Sequence, residues 1–405
     1  MRLKILFPVI VLVFSCGMGT VWAQVFADYF RTGLDRQDAG KLKEALKHFS
    51  EAVKLEPGSA RAWAKRGEVN LGLNKPRDAI GDLLKAVELD PAYSAALGRL
   101  GFAYNAINEY DKAIAVLDLA IKLDPMSGEA LNTRGFAFNG KHDYGPAIKD
   151  FDKAIRVNPK DPRFYNNRGY ALNGLREYDR AITNLRRAIK LNPKNAMFHN
   201  NLGVSFLRKQ EYDKAIGSFD TAISINSRFA SAYHNKGMAY SGKGRDEKAV
   251  EEFNKVIEMN PSSPLLYKDR GTAYMKMGDY DLAVKDLQKA IKLDKNFAPA
   301  HAAQGLLHAM AKDKNFRMPR QALAYAEKAV KLSQGKGLDI LANLAQVQYA
   351  LNRKRDAVKT LRKVLVMDPG NDQYRLLLEK WGAEPPVSVG PPARPRPKKR
   401  MPNYW

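Results

Sequence analysis

The chain is short of everything that covalent or metal cross-linking needs. Its 405 residues hold a single cysteine, so neither an intramolecular disulfide nor a thiolate zinc site can form, and its six histidines show no HExxH or comparable ligand spacing. No nucleophile-and-base motif, Walker loop or GxSxG sequence occurs either. Nothing recommends an enzyme, and no cofactor, metal or catalytic residue is expected. Past the leader, no segment is apolar enough to cross a membrane. Acidic residues are scarce beside basic ones: 43 Asp and Glu face 67 Lys and Arg, a formal charge of +24 that invites anionic partners without bearing on the fold. With 45% apolar residues and only 21 prolines, disorder over the whole length is excluded.

The amino terminus carries an export pattern. Arg2 and Lys4 precede an apolar run from Ile5 to Phe14, followed by Gly17, Gly19 and Val21-Trp22-Ala23 before Gln24. That order is the order of a secretory signal peptide, so residues 1–23 are expected to be removed after Ala23, with the mature chain in the periplasm or secreted. A second reading uses Cys16, because Leu12-Val13-Phe14-Ser15-Cys16 resembles a bacterial lipobox, whose cysteine would be lipidated and anchor an outer-membrane lipoprotein. Either product lacks a disulfide, which suits export without oxidative folding.

A repeat decides the fold. Glycine recurs at Gly33, Gly67, Gly101, Gly135, Gly169, Gly203, Gly237, Gly271 and Gly305, always 34 residues apart. Alanine follows twelve residues later, from Ala45 to Ala283, and a second small-residue column runs through Ala52, Ala86, Ala120, Ala154, Ala188, Ala222 and Ala290. Proline at Pro57, Pro91, Pro125, Pro159, Pro193 and Pro261 closes the unit, since a ring without an N–H stops the second helix. Each unit therefore reads helix, turn, helix. Small residues belong where two antiparallel helices cross closely. Tyr29, Trp63, Tyr165, Tyr233 and Tyr267, four residues before the glycine, fill the space beside that crossing, and His199 and His301 share their column.

Period, glycine, both alanines and proline together resemble the tetratricopeptide repeat. The resemblance implies an all-α, right-handed superhelical solenoid of about ten repeats over residues 24–371. Eight units run unbroken from 26 to 297, the ninth has five extra residues within 309–320, and a tenth begins at Leu338 with Ala345 in place of glycine. Tyr374, Leu377, Leu378 and Trp381 fall at helical spacing, which predicts a capping helix over 372–382. From 383 to 405 seven prolines and the cluster Arg394, Arg396, Lys398, Lys399 and Arg400 predict a disordered basic tail.

Two surfaces compete for a function. Many cations, among them Lys54, Lys85, Arg187, Lys255 and Lys289, sit in the last turn of second helices, where they oppose the helix dipole and need no ligand. Lacking interleaved aromatics they do not read as a specific nucleic-acid surface, although the tail could hold an anionic envelope surface. The first helices carry a second stripe. With the glycine as position 8, positions 5, 9 and 12 share one face. They read Gly98, Phe102, Asn105; Asn132, Phe136, Asn139; Asn166, Tyr170, Asn173; Asn200, Val204, Leu207; and His234, Met238, Ser241. Position 6 adds Asn167, Asn201 and Asn235, interrupted by Thr133 and Asp269 on either side. These resemble the asparagine ladder of the superhelical repeats in O-linked N-acetylglucosamine transferases, where the resemblance implies a grip on peptide backbone. An asparagine amide offers donors and an acceptor that match a peptide unit whatever its side chain. The asparagines could instead bond between neighbouring repeats, and Phe102, Phe136 and Tyr170 could be packing between adjacent first helices. The expected function is a protein-interaction scaffold of the bacterial envelope that holds an extended partner segment; the alternative is an anchor or assembly factor for anionic polymer or acidic surfaces.

Overall fold

A computed structural model describes residues 6–384 of the chain, with side chains from residue 21 onward. The first five residues, the side chain of Cys16 and the basic cluster of the tail lie outside the described residues. Among those described there are 21 α-helices, one short 3-10 helix and no strand.

The chain divides into two compact units, Met1–Lys209 and Gln210–Trp405. In the first, α1 (Leu6–Asp38), α2 (Leu42–Leu55), α3 (Ala60–Gly72), α4 (Pro76–Leu89), α5 (Ser94–Ala106), α6 (Tyr110–Leu123), α7 (Gly128–Gly140), α8 (Tyr144–Val157), α9 (Pro162–Gly174) and α10 (Tyr178–Leu191) form five antiparallel hairpins, and α11 (Ala196–Arg208) opens a sixth repeat. The second unit begins with α12 (Tyr212–Ile225). Its hairpins are α13 (Ala230–Gly242) with α14 (Asp246–Met259), α15 (Pro264–Met277) with α16 (Tyr280–Leu293), α17 (Ala298–Met310) with α18 (Pro319–Leu332), and α19 (Leu338–Ala350) with α20 (Lys354–Met367). The single helix α21 (Asp372–Lys380) follows, burying Tyr374 and Leu378.

Local chemistry sets these boundaries. Four first helices, α3, α7, α9 and α11, start on side-chain caps: Ser59 and Ser127 accept from the amides of Ala62 and Ala130, and Asp161 and Asn195 from those of Arg163 and Met197. Several second helices end one residue before an Asp or Asn whose Oδ1 accepts the amide two residues on, as Asp90 does from Ala92 and Asn158 from Lys160. The proline between them cannot continue the helix, so the Asx turn and the ring act together. Within each of these hairpins except α17 with α18 the turn passes through one left-handed residue, for example Asn108 (φ 61), His142 (φ 63) or Gly278 (φ 95).

The glycine column lies where the hairpin helices meet. A Cβ on Gly169 would stand 2.8 Å from Leu185 Cγ, and one on Gly237 2.6 Å from the Phe253 ring. A second glycine column went unread in the sequence: Gly140 and Gly174 face the rings of Tyr110 and Tyr144 in the preceding repeat, where any side chain would overlap them. Phe49 and Phe151 in the first unit and Phe253 in the second are fully buried, each stabilising its hairpin by about 1.5–3 kcal/mol. The ninth repeat's extra residues form the link from Ala311 to Met318, with a 3-10 turn at Lys314–Phe316. His308 pins that link, its Nδ1–H donating to Phe316 O at 2.9 Å while Nε2 accepts from Gln304.

Candidate functional site

Four successive first helices of the first unit, α5, α7, α9 and α11, line a cleft of about 640 Å³. Into it open Phe102, Asn105, Asn132, Phe136, Asn166 and Asn167, joined by Glu129, Arg163 and Met197. Phe102 and Phe136 are each 47% exposed and Tyr170 is 49% exposed, so about half of each ring in this column is open at the surface. Val204 continues the column half-buried.

The asparagines behind this ridge are joined to one another. Asn167 Nδ2 donates to Asn132 Oδ1 at 2.9 Å and Asn201 Nδ2 to Asn166 Oδ1 at 2.8 Å, each link passing from one repeat to the one before. Within a repeat, Asn166 donates to Asn167 at 3.1 Å and Asn200 to Asn201 at 3.4 Å. Bonding between repeats is therefore real. It uses one N–H of each donating amide, and an amide carries two, plus a second lone pair on each carbonyl.

Position 12 behaves differently. Asn105 and Asn139 donate to the backbone carbonyls of Thr133 and Asn167, and Asn173 donates to the Ser205 hydroxyl, again in the following repeat. In all three the carbonyl Oδ1 is buried and accepts no hydrogen bond.

His234 and Asn235 belong to the second unit and are described there. His234 Nε2 lies 2.8 Å from Asp269 Oδ2, and Lys268 pairs with the same carboxylate. Burial would raise the pKa of Asp269, but His234 and Lys268 outweigh it and hold the carboxyl below its ordinary value. Asn235 is half-buried beside this group.

A further column was missed in the sequence. Position 7 carries Arg66, Arg134 and Arg168 in the first unit, and each reaches a buried acid or amide sixteen residues on: Asp82, Asp150 and Asn184. Arg134 grips Asp150 through two bonds of 2.8 and 2.7 Å and reaches back 2.7 Å to Asp118 of the preceding repeat. The second unit repeats the device with Lys236 on Glu252 and Asp220 and Arg270 on Asp286 and Asn254. Asp150 and Asp118 raise the pKa of Arg134 against the opposing effect of burial; around Lys236 burial is the largest influence, and its two carboxylates together overcome it. A cation sixteen residues before Asp, Glu or Asn was the available signal.

The position-4 column closes the repeat joints. Tyr165 and Tyr267 donate their hydroxyls to the carbonyls of Pro159 and Pro261, and Trp63 its indole N–H to Pro57 O. His199 and His301 meet the equivalent carbonyls through Nε2, which makes both histidines structural. Last-turn cations then cover these rings: Arg187 lies 5.8 Å from Tyr165, Lys255 5.7 Å from Tyr233 and Lys289 5.9 Å from Tyr267.

Family profiles described as tetratricopeptide repeat match residues 30–91, 70–133, 151–183, 174–230, 230–263 and 264–297. The chain belongs to the tetratricopeptide repeat family. Members of this family mediate protein–protein interaction and are typically scaffolds without catalysis. Among solved structures, a tetratricopeptide repeat protein from Parabacteroides merdae is 18% identical, with 64% of this chain and 99% of that one covered at a TM-score of 0.52. Human IFIT1, solved as a dimer with m7Gppp-AAAA, is 15% identical over 87% of this chain and 88% of its own at a TM-score of 0.54. At these identities both show the fold alone. No curated protein matches the sequence. No helix among the described residues is long and apolar enough to cross a membrane.

Proposed function

We propose that this tetratricopeptide repeat protein is a non-enzymatic interaction scaffold of the bacterial cell envelope whose first unit holds an extended segment of a protein partner across α5, α7, α9 and α11. The observation that carries this reading is the column Phe102, Phe136 and Tyr170, three half-exposed aromatic rings at one repeat position, backed by asparagine amides with hydrogen-bonding capacity to spare. The rings supply apolar contact, and the amides match peptide units without selecting side chains. Neighbouring helices pack about 8–10 Å apart and an extended peptide advances about 3.3 Å per residue, so each repeat meets roughly three residues and four first helices about a dozen. One neutral hydrogen bond nets only about 0.5–1.5 kcal/mol, so micromolar affinity, about −8 kcal/mol, needs several amides and the ridge together.

The envelope location rests on Arg2, Lys4, the run Ile5–Phe14 and Val21-Trp22-Ala23, or on Cys16 if that residue is lipidated. Anchorage to an anionic surface through the second-helix faces is the weaker reading, because Arg187, Lys255 and Lys289 already lie over aromatic rings of their own repeats.

Panning a library of unstructured peptides against the full chain provides the probe. The tightest peptide should bind the triple variant Phe102→Ala, Phe136→Ala, Tyr170→Ala at least about tenfold more weakly, or 1.4 kcal/mol, with the far-ultraviolet circular dichroism unchanged. An unchanged affinity would remove the ridge from the site.

A further inference from the structure

The last hairpin gathers unpaired positive charge on its second helix. At the residue before the second helix, α6, α8, α10, α12 and α16 carry Glu109, Asp143, Glu177, Glu211 and Asp279, with a further acid in the first turn of all but α8, whereas α2, α4 and α14 carry Lys41, Lys75 and Arg245. Acids there complement the positive end of the helix dipole. Before α20 that residue is Arg353, and the helix opens Lys354-Arg355. Over its 14 residues α20 carries five bases against the single acid Asp356. The dipole explains last-turn cations elsewhere, but Arg353, Lys354 and Arg355 sit at the positive end of this helix, where the dipole does not favour them. Lys354, Arg355, Lys359 and Lys363 make no ion pair among the described residues, and Arg362 donates to the backbone carbonyl of Glu384.

The same helix forms one wall of an open cavity of about 820 Å³ whose other side is Trp381 and the two residues after it. Among the described residues no second helix follows the nine-residue α21, and part of the α20 surface stays exposed. Val366 and Met367 line the cavity and are exposed. The site thus combines an apolar floor with a cationic rim that neither packing nor local pairing requires.

We propose that this groove docks an acidic, amphipathic segment of a partner protein, laid along α20 with its apolar side chains on Val366, Met367 and Trp381 and its carboxylates on Arg355, Lys359 and Lys363. A peptide supplies both chemistries, whereas a lipid headgroup brings charge without side chains to fill the floor. Nucleobase stacking is disfavoured because Trp381 already gives one face to Tyr349, with ring centroids 4.4 Å apart.

The probe is a labelled peptide of about 14 residues, long enough to match the ~21 Å of α20 as a helix, with leucine on one face and glutamate on the other. Fluorescence anisotropy with the full chain should show saturable binding that weakens as salt rises. The exposed triple variant Arg355→Glu, Lys359→Glu, Lys363→Glu should bind at least about tenfold more weakly while keeping its melting temperature, and Val366→Ser with Met367→Ser should also weaken binding. The ridge variant of the first unit should leave this binding unchanged, which separates the two sites. Equal binding of the charge-reversed variant, or of a peptide with glutamine for every glutamate, would overturn the proposal. So would capture of the chain by phosphatidylglycerol vesicles that the acidic peptide does not displace.

Discussion

At the scale of single residues, the position-4 column shows one structural task met by different chemistries. Tyr165 and Tyr267 close the loop before them through a hydroxyl, and His301 does so through Nε2, 3.0 Å from Lys295 O. A carbonyl accepts, so the proton sits on Nε2 and leaves Nδ1 bare, buried and without a partner. Protonating Nδ1 would bury an unpaired charge. Burial accordingly pushes the His301 pKa below its ordinary 6.5, aided by Lys328 and opposed by the bond to Lys295. A histidine depressed on folding contributes stability that is fully present above its unfolded pKa, near 6.5, and is lost as pH falls through the folded value. His301→Tyr should keep the loop tie and remove this acid sensitivity: the wild type should lose more melting temperature than the variant between pH 7.5 and 5.5. Equal losses would mean that His301 does not titrate in that window. The role of this histidine was legible as packing from its column; its tautomer depended on which carbonyl the loop presents.

At the scale of helices and their joints, legibility follows what each position forbids. Gly169 and Ala181 stand out because bulk at a helix crossing is excluded in every repeat, and exclusion appears directly as residue identity at period 34. The position-7 ion pairs were harder to see because several repeats replace them: where Arg134 meets Asp150, the preceding repeat has Leu100 and Val116 in one apolar cluster. That substitution is itself informative. Asp150 is 3% exposed, so Arg134→Ala should strand a buried carboxylate and cost about 3 kcal/mol in the denaturation midpoint. The double variant Arg134→Leu, Asp150→Val copies the preceding repeat and should fall within about 1.5 kcal/mol of wild type. A double variant no better than the single one would show that the pair does more than fill its site. The asparagine stripe was legible as a face, but the acceptors left over at Asn105, Asn139 and Asn173 depend on which neighbouring group each amide meets, and spacing alone does not contain that.

At the scale of the whole molecule, charge and repeat number separate scaffold from surface. Some last-turn cations have partners within their own repeats, such as Lys54 with Glu51 and Lys255 with Glu252, so a net charge of +24 overstates what is available to ligands. Exposed pairs of this kind contribute little stability, about 0–1 kcal/mol, and chiefly lower the free charge. The tail beyond Glu384 has no apolar periodicity. Removing residues 385–405 should therefore leave helicity and melting temperature unchanged, as circular dichroism would show; cooperative loss of structure would mean that the tail packs on the repeats.

The central claim is that the first unit holds a partner segment along its aromatic ridge. Site-specific photo-crosslinking in cells tests it most directly, with p-benzoylphenylalanine placed in turn at Phe102, Phe136 and Tyr170 and, as a control, at Leu119, an exposed residue of the second helix α6. The three ridge positions should capture the same polypeptide and the control none. Capture at Leu119 with nothing at the ridge would contradict the account and turn attention to the second-helix faces.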